Sequence, residues 1–593
     1  MGLLQKAVET YDNFAYLAGV EREGHAVLAP IGHITTNANI EITLDINGTF
    51  IDARVVDKTE PKIIIPVTED SGGRTSKPCA HPFCEQISYL SGENDEKYSL
   101  YVEQLEKWAD SVYSHPFVKA VLIYLRKKEI VEDLSKKGIK ISDEKQLVRW
   151  RIVGGESTNS ACWENRELFN RFSAWYCSTQ NTDSADCCMI TGETAILAKQ
   201  HSKGIIAMNG NAKLISSNDT SNFTYRGRFT DDKQAATISY IASQKAHNAL
   251  RWISAEQGAS LVFGGRTFLC WNPKGKKLPH PANRFSKKTS TPTTPSDYKK
   301  ELKETLSGFK SELPENSSDV VIAAFDAATT GRLSLTYYNE LQASDFLLRL
   351  YDWDEHCCWW KYDSKQKIVY ISQPLLFDIV KCAFGTQRTE KKQAKLVTDD
   401  RILKQQMQRL ISCRVDKAQF PLDIETALVN RASTPQAFDH WVYEEILFTA
   451  CAAIKKYCYD RFKEDWEMSL EKDREDCSYQ FGRLLAVMEK AERDTYSSDE
   501  SREPNAVKLQ SVFRRNPLHT ANIIEEQLKR AYFPRLPVKS RIFYNGLIGE
   551  ILEKISNFPD ELNKPLKDSY LMGYYLQRNE LYKKNKENNQ EEK

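Results

Sequence analysis

The chain has 593 residues, 41% of them hydrophobic and 27% charged, which is ordinary globular usage at a length for about three or four domains. Its net charge of +1 excludes a globally basic polyanion binder and leaves room for local basic patches. Its 14 cysteines are too sparse for a disulfide scaffold, and several are adjacent (Cys187-Cys188, Cys357-Cys358). With no signal-peptide pattern and no run of about 18 apolar residues, the sequence predicts a reduced, soluble, cytoplasmic protein with no membrane partner.

Residues 3–18 carry an apolar stripe at helical spacing, from Leu3 and Leu4 to Phe14 and Leu17. Ile40–Ile46 then alternates, Asn47-Gly48 signals a hairpin turn, and Thr49–Val56 returns as its second strand. Lys62–Val67 reads as a third strand. Ser71-Gly-Gly-Arg-Thr-Ser-Lys-Pro78 is a loop by composition. Composition alone favours a solvated connection. The same small residues, hydroxyls and cations also suit close approach to a nucleic-acid groove. Residues 95–136 are helical with a break at His115-Pro116, Lys145–Val153 is a strand, and 161–177 and 231–252 are helices. Lys213–Asn218 is a short strand running into a polar loop. Beyond it, Phe223, Tyr225, Arg226 and Arg228 suit either base stacking or a packed hairpin.

From Asn272 to Lys300, eight lysines and arginines (including Lys274, Lys276 and Lys277) face Asp297 alone. The Ser/Thr/Pro/Lys core of this run, 286–296, reads as a linker or exposed loop. Strands follow at Asp319–Ala328 and Leu333–Tyr338, then a helix from Gln342. Past about residue 397 strands largely disappear, and helical patterns cover 397–411, 422–431, 440–464, 470–494, 520–531, 538–557 and 566–584. Lys508–Arg541 carries eight basic residues, among them Arg514, Arg515, Lys529, Arg530, Arg535, Lys539 and Arg541, against Glu525 and Glu526. The fold class is α+β: a mixed N-terminal region with antiparallel strands and helices, followed by an all-α C-terminal helical bundle.

No Walker loop, GxGxxG, HExxH or GxSxG is present. Cys79-Ala-His81-Pro-Phe-Cys84 lacks the second ligand cluster of a zinc site, so buried thiols are expected. Asp423 and Glu425, a conceivable nuclease pair, fit the start of a helix better. The residues therefore point to a binding protein with no catalytic residues, metal or cofactor.

Within the last region, Phe481, Leu484, Leu485 and Met488 fall at i, i+3, i+4 and i+7, one face of an amphipathic helix. Gly482 interrupts it at a cost of about 1 kcal/mol, which a helix bears where another backbone must come close. Tyr479-Gln-Phe-Gly-Arg-Leu-Leu-Ala-Val-Met-Glu489 resembles a signature of the large subunit of type I-C CRISPR surveillance (Cascade) complexes, the Dvulg family. Met572-Gly-Tyr-Tyr-Leu-Gln-Arg578, Ala323–Leu335, Gly204–Ser217 with Phe223-Thr-Tyr225, and Gly73–Pro78 with Phe83 and Ser88–Gly92 resemble further family segments, in order along the chain.

The resemblance implies a non-catalytic subunit that reads the protospacer-adjacent motif in double-stranded DNA and promotes R-loop formation. It also implies contact with the displaced strand and help in recruiting a helicase-nuclease. The implied partners are CRISPR RNA, target double-stranded DNA, a backbone subunit, a repeat-processing subunit at the 5' handle, and a small subunit from the same gene, with Met468 as a candidate internal start. Gly73, Arg74, Thr75, Ser76, Lys77, Ser216, Ser217 and Asn218 become candidates for motif reading. Arg226, Arg228 and the basic residues of 274–277 and 514–541 become candidates for backbone contacts. The domains are then 1–285 for motif recognition, a linker or loop at 286–300, an α+β continuation at 301–395, a helical connection at 396–467 and a bundle at 468–593. The alternatives left open are a metal-dependent nuclease and a nucleic-acid-binding scaffold outside CRISPR.

Overall fold

The computed structural model describes residues 2–60, 62–74, 77–155, 159–180, 184–206, 210–215, 236–286, 291–313, 319–363, 366–390, 393–497 and 499–591. Antiparallel sheets lie in the N-terminal region and helices dominate the C-terminal part. The chain forms two compact units, Met1–Leu278 with Asn316–Gln342 and Pro279–Glu315 with Ala343–Lys593.

In the first unit, α1 (Leu3–Asn13) leads to β1 (His33–Thr36) and the hairpin of β2 (Ile40–Asp45) and β3 (Phe50–Val55). Asn47-Gly48 makes the turn as expected: Gly48 has φ +75°, and the Asp45 carboxylate accepts from the N–H groups of Asn47 and Thr49 at 2.9 and 2.7 Å. The third strand, β4 (Ile63–Pro66), pairs with β1 and not with the hairpin. Helices α2 (Glu69–Gly73), α3 (Asp95–Ala109), α4 (Pro116–Leu125) and α5 (Ile130–Lys136) precede β5 (Val148–Val153), which joins β2 in parallel. Ile40, Ile42 and Leu44 of β2 bury with Val148, Trp150 and Ile152 of β5, and Trp108, Val121 and Phe172 belong to the same core.

After α6 (Arg166–Thr179), α7 (Tyr240–Ala255) is capped by Ser239; of the helix expected from 231, residues 231–235 lie outside the described residues and 236–239 precede the first turn. The strands β6 (Ser260–Phe263), β7 (Arg266–Trp271), β8 (Asp319–Thr329) and β9 (Arg332–Gln342) form an antiparallel sheet. Pairing of β8 with β7 returns 319–342 to the first unit, so the segment read as 301–395 is shared between the units.

The second unit begins with α8 (Pro295–Glu312). Thr294 accepts from the Asp297 N–H at 3.1 Å and Pro295 takes the first helical position, so the end of the expected linker is a capped helix start. Then come α9 (Ala343–His356), the hairpin β10 (Trp359–Asp363) and β11 (Ile368–Ser372), α10 (Leu376–Phe384), and the hairpin β12 (Thr386–Glu390) and β13 (Gln393–Val397). The rest is helical: α11 (Asp400–Asp416), α12 (Leu422–Ala432), α13 (His440–Phe462), α14 (Cys477–Arg493), shorter helices over 505–527, α15 (Val538–Ser556) and α16 (Ser569–Glu591).

Helix α14 departs from the amphipathic expectation, since every residue from Cys477 to Glu492 is buried. It packs against α15, α16 and the short helices, which enclose its polar side as well as its apolar one. Arg483, 0% exposed, donates to Gln577 Oε1 at 3.0 Å, to Gln480 Oε1 at 2.8 Å and to the Lys472 carbonyl at 2.7 Å. Gly482 serves the close approach its position implies. A Cβ there would fall inside the Tyr570 carbonyl oxygen on α16, and a Cβ at Gly573 of α16 would fall inside that of Tyr479 on α14. Gly482→Ala is therefore expected to cost about 3 kcal/mol, the upper range for overpacking against backbone. Gly546→Ala on α15, where a Cβ meets open space, is expected to stabilise by roughly 0.5–1 kcal/mol through helix propensity. Denaturant titrations of both variants check the pair.

Candidate nucleic-acid interface

The stretch Thr68-Glu-Asp-Ser71 is a capping box. Thr68 Oγ1 accepts from the Ser71 N–H at 3.1 Å and Ser71 Oγ from the Thr68 N–H at 2.9 Å. It nucleates α2, so the expected loop from Ser71 starts as a helix and leaves it only after Gly73. The Glu69 N–H donates to the Tyr176 hydroxyl at 3.1 Å, and the Glu69 carboxylate accepts from the N–H groups of Lys199 and Gln200 at 3.0 and 3.2 Å. Those bonds bring Lys199 and Gln200 beside the end of α2. A Cβ on Gly73 would stand 2.8 Å from Gln200 Oε1 and 3.8 Å from Lys213 Nζ.

The neighbouring segment is held from two further sides. Arg251 on α7 donates to the carbonyls of Lys203 and Gly204 at 2.5 and 3.2 Å. Lys213 pairs with the turn between β8 and β9, its N–H donating to the Gly331 carbonyl at 3.0 Å and its carbonyl accepting from Leu333 at 2.9 Å. Residues far apart in sequence, 73–74, 200–204, 213 and 331–333, thus converge.

The cations at this junction differ in how they are held. Arg74 forms a two-pronged pair with Glu85 at 2.5 and 2.8 Å, donates to the Cys79 carbonyl at 2.7 Å and lies 5.0 Å from the Tyr89 ring centroid. Its side chain is 15% exposed and that of Glu85 is fully buried, so this cation is neutralised inside the fold. Lys203 Nζ donates to the Arg74 carbonyl at 3.4 Å and Lys213 Nζ to Gln200 Oε1 at 3.3 Å; among the described residues neither makes an ion pair with a carboxylate. Burial first, then the charge of Arg74 on Lys203 and of Lys203 on Lys213, depresses both ammonium pKa values, with Glu69 opposing the shift at Lys213. Burial holds His81 and His201 down to about 4, against the pull of Glu85 at His81 and with the help of Lys213 at His201, so they add no charge near neutral pH. Two half-buried ammonium groups beside a glycine backbone make a site for an anion.

A family comparison assigns the chain around this junction: residues 8–582 match the family described as CRISPR-associated protein (Cas_Csd1). The chain belongs to that family. No curated protein matches it. The match removes the reading as a scaffold outside CRISPR.

Other expected positions in this family member fall as follows. Lys77, Lys274, Lys276 and Lys277 are exposed, whereas Thr75, Ser76, Ser216, Ser217, Asn218, Arg226 and Arg228 lie outside the described residues. In the second unit, Arg514 donates to Asn430 Oδ1 at 2.6 Å, Lys529 pairs with Glu525 at 2.6 Å and Arg530 pairs with Glu526. Arg515, Arg535, Lys539 and Arg541 are exposed and, among the described residues, carry no ion pair. Asp423 is paired with Arg409 at 2.6 and 2.7 Å, and burial followed by Asp568 raises Glu425 to about 7, an arrangement unsuited to joint metal binding. Among the described residues, no group of three or more His, Cys, Asp or Glu could hold a metal ion, and no helix is long and apolar enough to cross a membrane.

Lys203 and Lys213 are absent from the sequence-based candidates. Isolated lysines carry no local signal, and the absence of a counterion is a tertiary property. Their one clue is position, at the edge of or inside the Gly204–Ser217 family segment. The anchoring carboxyl Glu69 offers a pH test. Burial raises its pKa from 4.5 to about 7 despite the two N–H donors. A carboxyl shifted upward stabilises the fold fully below its unfolded pKa and loses that contribution as pH rises through about 7. Glu69→Gln keeps the oxygen acceptor without ionising. Relative to the variant, wild type should lose up to roughly 3 kcal/mol between pH 4.5 and 8, read as diverging melting temperatures. Parallel profiles would contradict it.

Proposed function

We propose that the chain is the non-catalytic large subunit of a type I-C RNA-guided surveillance complex, of the Dvulg kind its sequence resembles. The carrying observation is the pair of half-buried lysines beside Gly73 that make no ion pair among the described residues. In this reading CRISPR RNA pairs with the target strand, while the protein reads a short flanking motif on the intact duplex and promotes strand opening. Gly73 lets the backbone approach the groove, Lys77 and the hydroxyls of Thr75, Ser76, Ser216 and Ser217 reach base edges together with Asn218, and Lys203 and Lys213 take phosphates. Arg74 is a positioning residue, holding the loop through buried Glu85. The exposed cations at 274–277 and at 515, 535, 539 and 541, joined by Arg226, Arg228 and Arg514, track backbone and the displaced strand. Lys529 and Arg530 do so only on leaving their glutamates. The complex adds the backbone and 5'-handle subunits and recruits the helicase-nuclease.

Lys203→Ala with Lys213→Ala should weaken binding of every duplex alike and lower the slope of log affinity against log salt by about two. Lys77→Ala should instead relax motif choice, with a loss of about 1–3 kcal/mol confined to the preferred motif. Filter binding of the assembled complex at several salt concentrations separates the two, and unchanged affinity and slope in the lysine pair would sink the assignment.

The same reading includes a small subunit from this gene starting at Met468. Met468 lies between α13 and α14, its carbonyl accepting from Trp360 Nε1 at 2.7 Å. Intact-mass analysis of the complex expressed from the unaltered gene should find residues 468–593 as a separate chain, and Met468→Leu should abolish it.

A further inference from the structure

Lys203 and Lys213 stand in a geometry that phosphate contact alone does not require. They are directly opposite each other in an antiparallel bridge, beside which the Gly204 N–H donates to the Ala212 carbonyl at 3.1 Å. Lys213 is also the parallel partner of Arg332 at the start of β9. Residues that face each other across paired strands project to the same side. Lys203, Lys213 and Arg332 therefore form a row of three cations on one face, with Lys213 in its middle. The two lysines end at α2: Lys213 Nζ is 3.8 Å from where a Gly73 Cβ would stand, and Lys203 Nζ reaches the Arg74 carbonyl.

Like charges directly opposite each other are destabilising. An anion between them relieves the repulsion, and so does the loss of a proton from one. A protonated amine is no nucleophile, and an ordinary lysine leaves only about one amine in 2,500 unprotonated at pH 7. Burial and the neighbouring ammonium of Lys203 both push Lys213 toward the free amine, with Glu69 opposing them. The free amine still donates to Gln200 Oε1 and keeps its lone pair available. Neither lysine is sealed, since both remain partly exposed and a small solute reaches them. A free amine beside an anion-binding cation suits one class of reagent, an acyl phosphate. Its phosphate is the anion, and its electrophilic carbon is joined to that phosphate through one oxygen.

We propose that Lys213 is a site of self-acylation by acyl phosphates, with Lys203 holding the phosphate of the donor. The Lys213 nitrogen adds to the acyl carbon through its lone pair. The bond from that carbon to the phosphate oxygen breaks, and inorganic phosphate leaves with the electron pair and takes the proton lost from nitrogen. The product is a neutral amide on Lys213, and nothing is oxidised or reduced. Acylation removes the middle charge of the row and with it one phosphate contact. Its consequence, weaker duplex binding at the junction, rests on the reading given above; the chemistry itself needs no DNA.

The probe is acetyl phosphate added to the purified full-length chain, with acetyl occupancy at each lysine followed over time by peptide mass spectrometry. The exposed Lys274, Lys276 and Lys277 are the internal comparison. Lys213 should be acetylated about tenfold faster than these three, as a tenfold larger free-amine fraction would give. Inorganic sulfate, which competes for the cation row, should slow Lys213 and leave the other three unchanged. Lys203→Arg should keep the preference because the cation remains, and Lys203→Ala should abolish it. In the assembled complex, Lys213→Gln, which carries a neutral amide, should weaken binding of every duplex and lower the slope of log affinity against log salt by about one. Fast acetylation of Lys213 with duplex affinity unchanged in Lys213→Gln supports the site and counts against the duplex reading, so the two fail separately. The proposal is overturned if Lys213 reacts no faster than the three exposed lysines, or if sulfate leaves its rate unchanged. It is equally overturned if Lys203→Ala keeps the preference, or if Lys203→Arg loses it as the alanine variant does.

Discussion

The second unit depends on the contact between two helix backbones at Gly482 and Gly573. Each glycine lies against the carbonyl of a tyrosine on the opposite helix, so the contact is reciprocal: Gly482 meets Tyr570 and Gly573 meets Tyr479. Any side chain at either position would drive α14 and α16 apart. The approach seals Arg483, Glu489 and Lys490 inside, and the polar network around them then fixes neighbouring elements. Glu489 accepts from both Tyr574 and Arg493, and Arg483 ties α14 to Gln577 and Lys472.

A different constraint shapes the first unit. Glu85 gives Arg74 a complete, buried partner and also accepts from the N–H groups of His81 and Gln86, both at 2.6 Å. That fixes the path of the chain on either side of residues 75 and 76. Glu69 then draws in Lys199 and Gln200, and Lys203 and Lys213 arrive beside them with no ion pair among the described residues. Folding thus holds two like charges close together and half out of water, an arrangement that costs stability and favours any anion bringing charge and hydrogen-bond acceptors to it.

Local signals made much of the fold legible. Asn47-Gly48 fixes its hairpin because its turn chemistry is short-range, and the awkward glycine at 482 correctly marks a close backbone approach. Longer-range features were not legible. Helix α14 has one obvious apolar face, yet its other face is buried by partners that periodicity does not reveal. The Thr68–Ser71 capping box was hidden in a stretch whose glycines and serines resemble a loop, and Thr294-Pro295 likewise begins a helix inside an apparent linker. The hairpins of β10 with β11, which is largely apolar, and of β12 with β13, which is largely polar, lack the alternation that marks a half-buried strand. At the candidate interface the loop at 73–77 stood out by composition. The lysines beside it did not, because what distinguishes them, half-burial next to each other with no ion pair among the described residues, is set by tertiary packing.

The central claim is that duplex DNA meets this protein at the junction of Gly73, Lys203 and Lys213. The most direct test is a structure of the assembled complex bound to a target duplex with its flanking motif intact. The account predicts the motif step against the 73–77 loop, with phosphate oxygens within hydrogen-bond distance of Lys203 and Lys213 Nζ. A motif bound elsewhere on the chain, with both lysines facing solvent or protein, would contradict it.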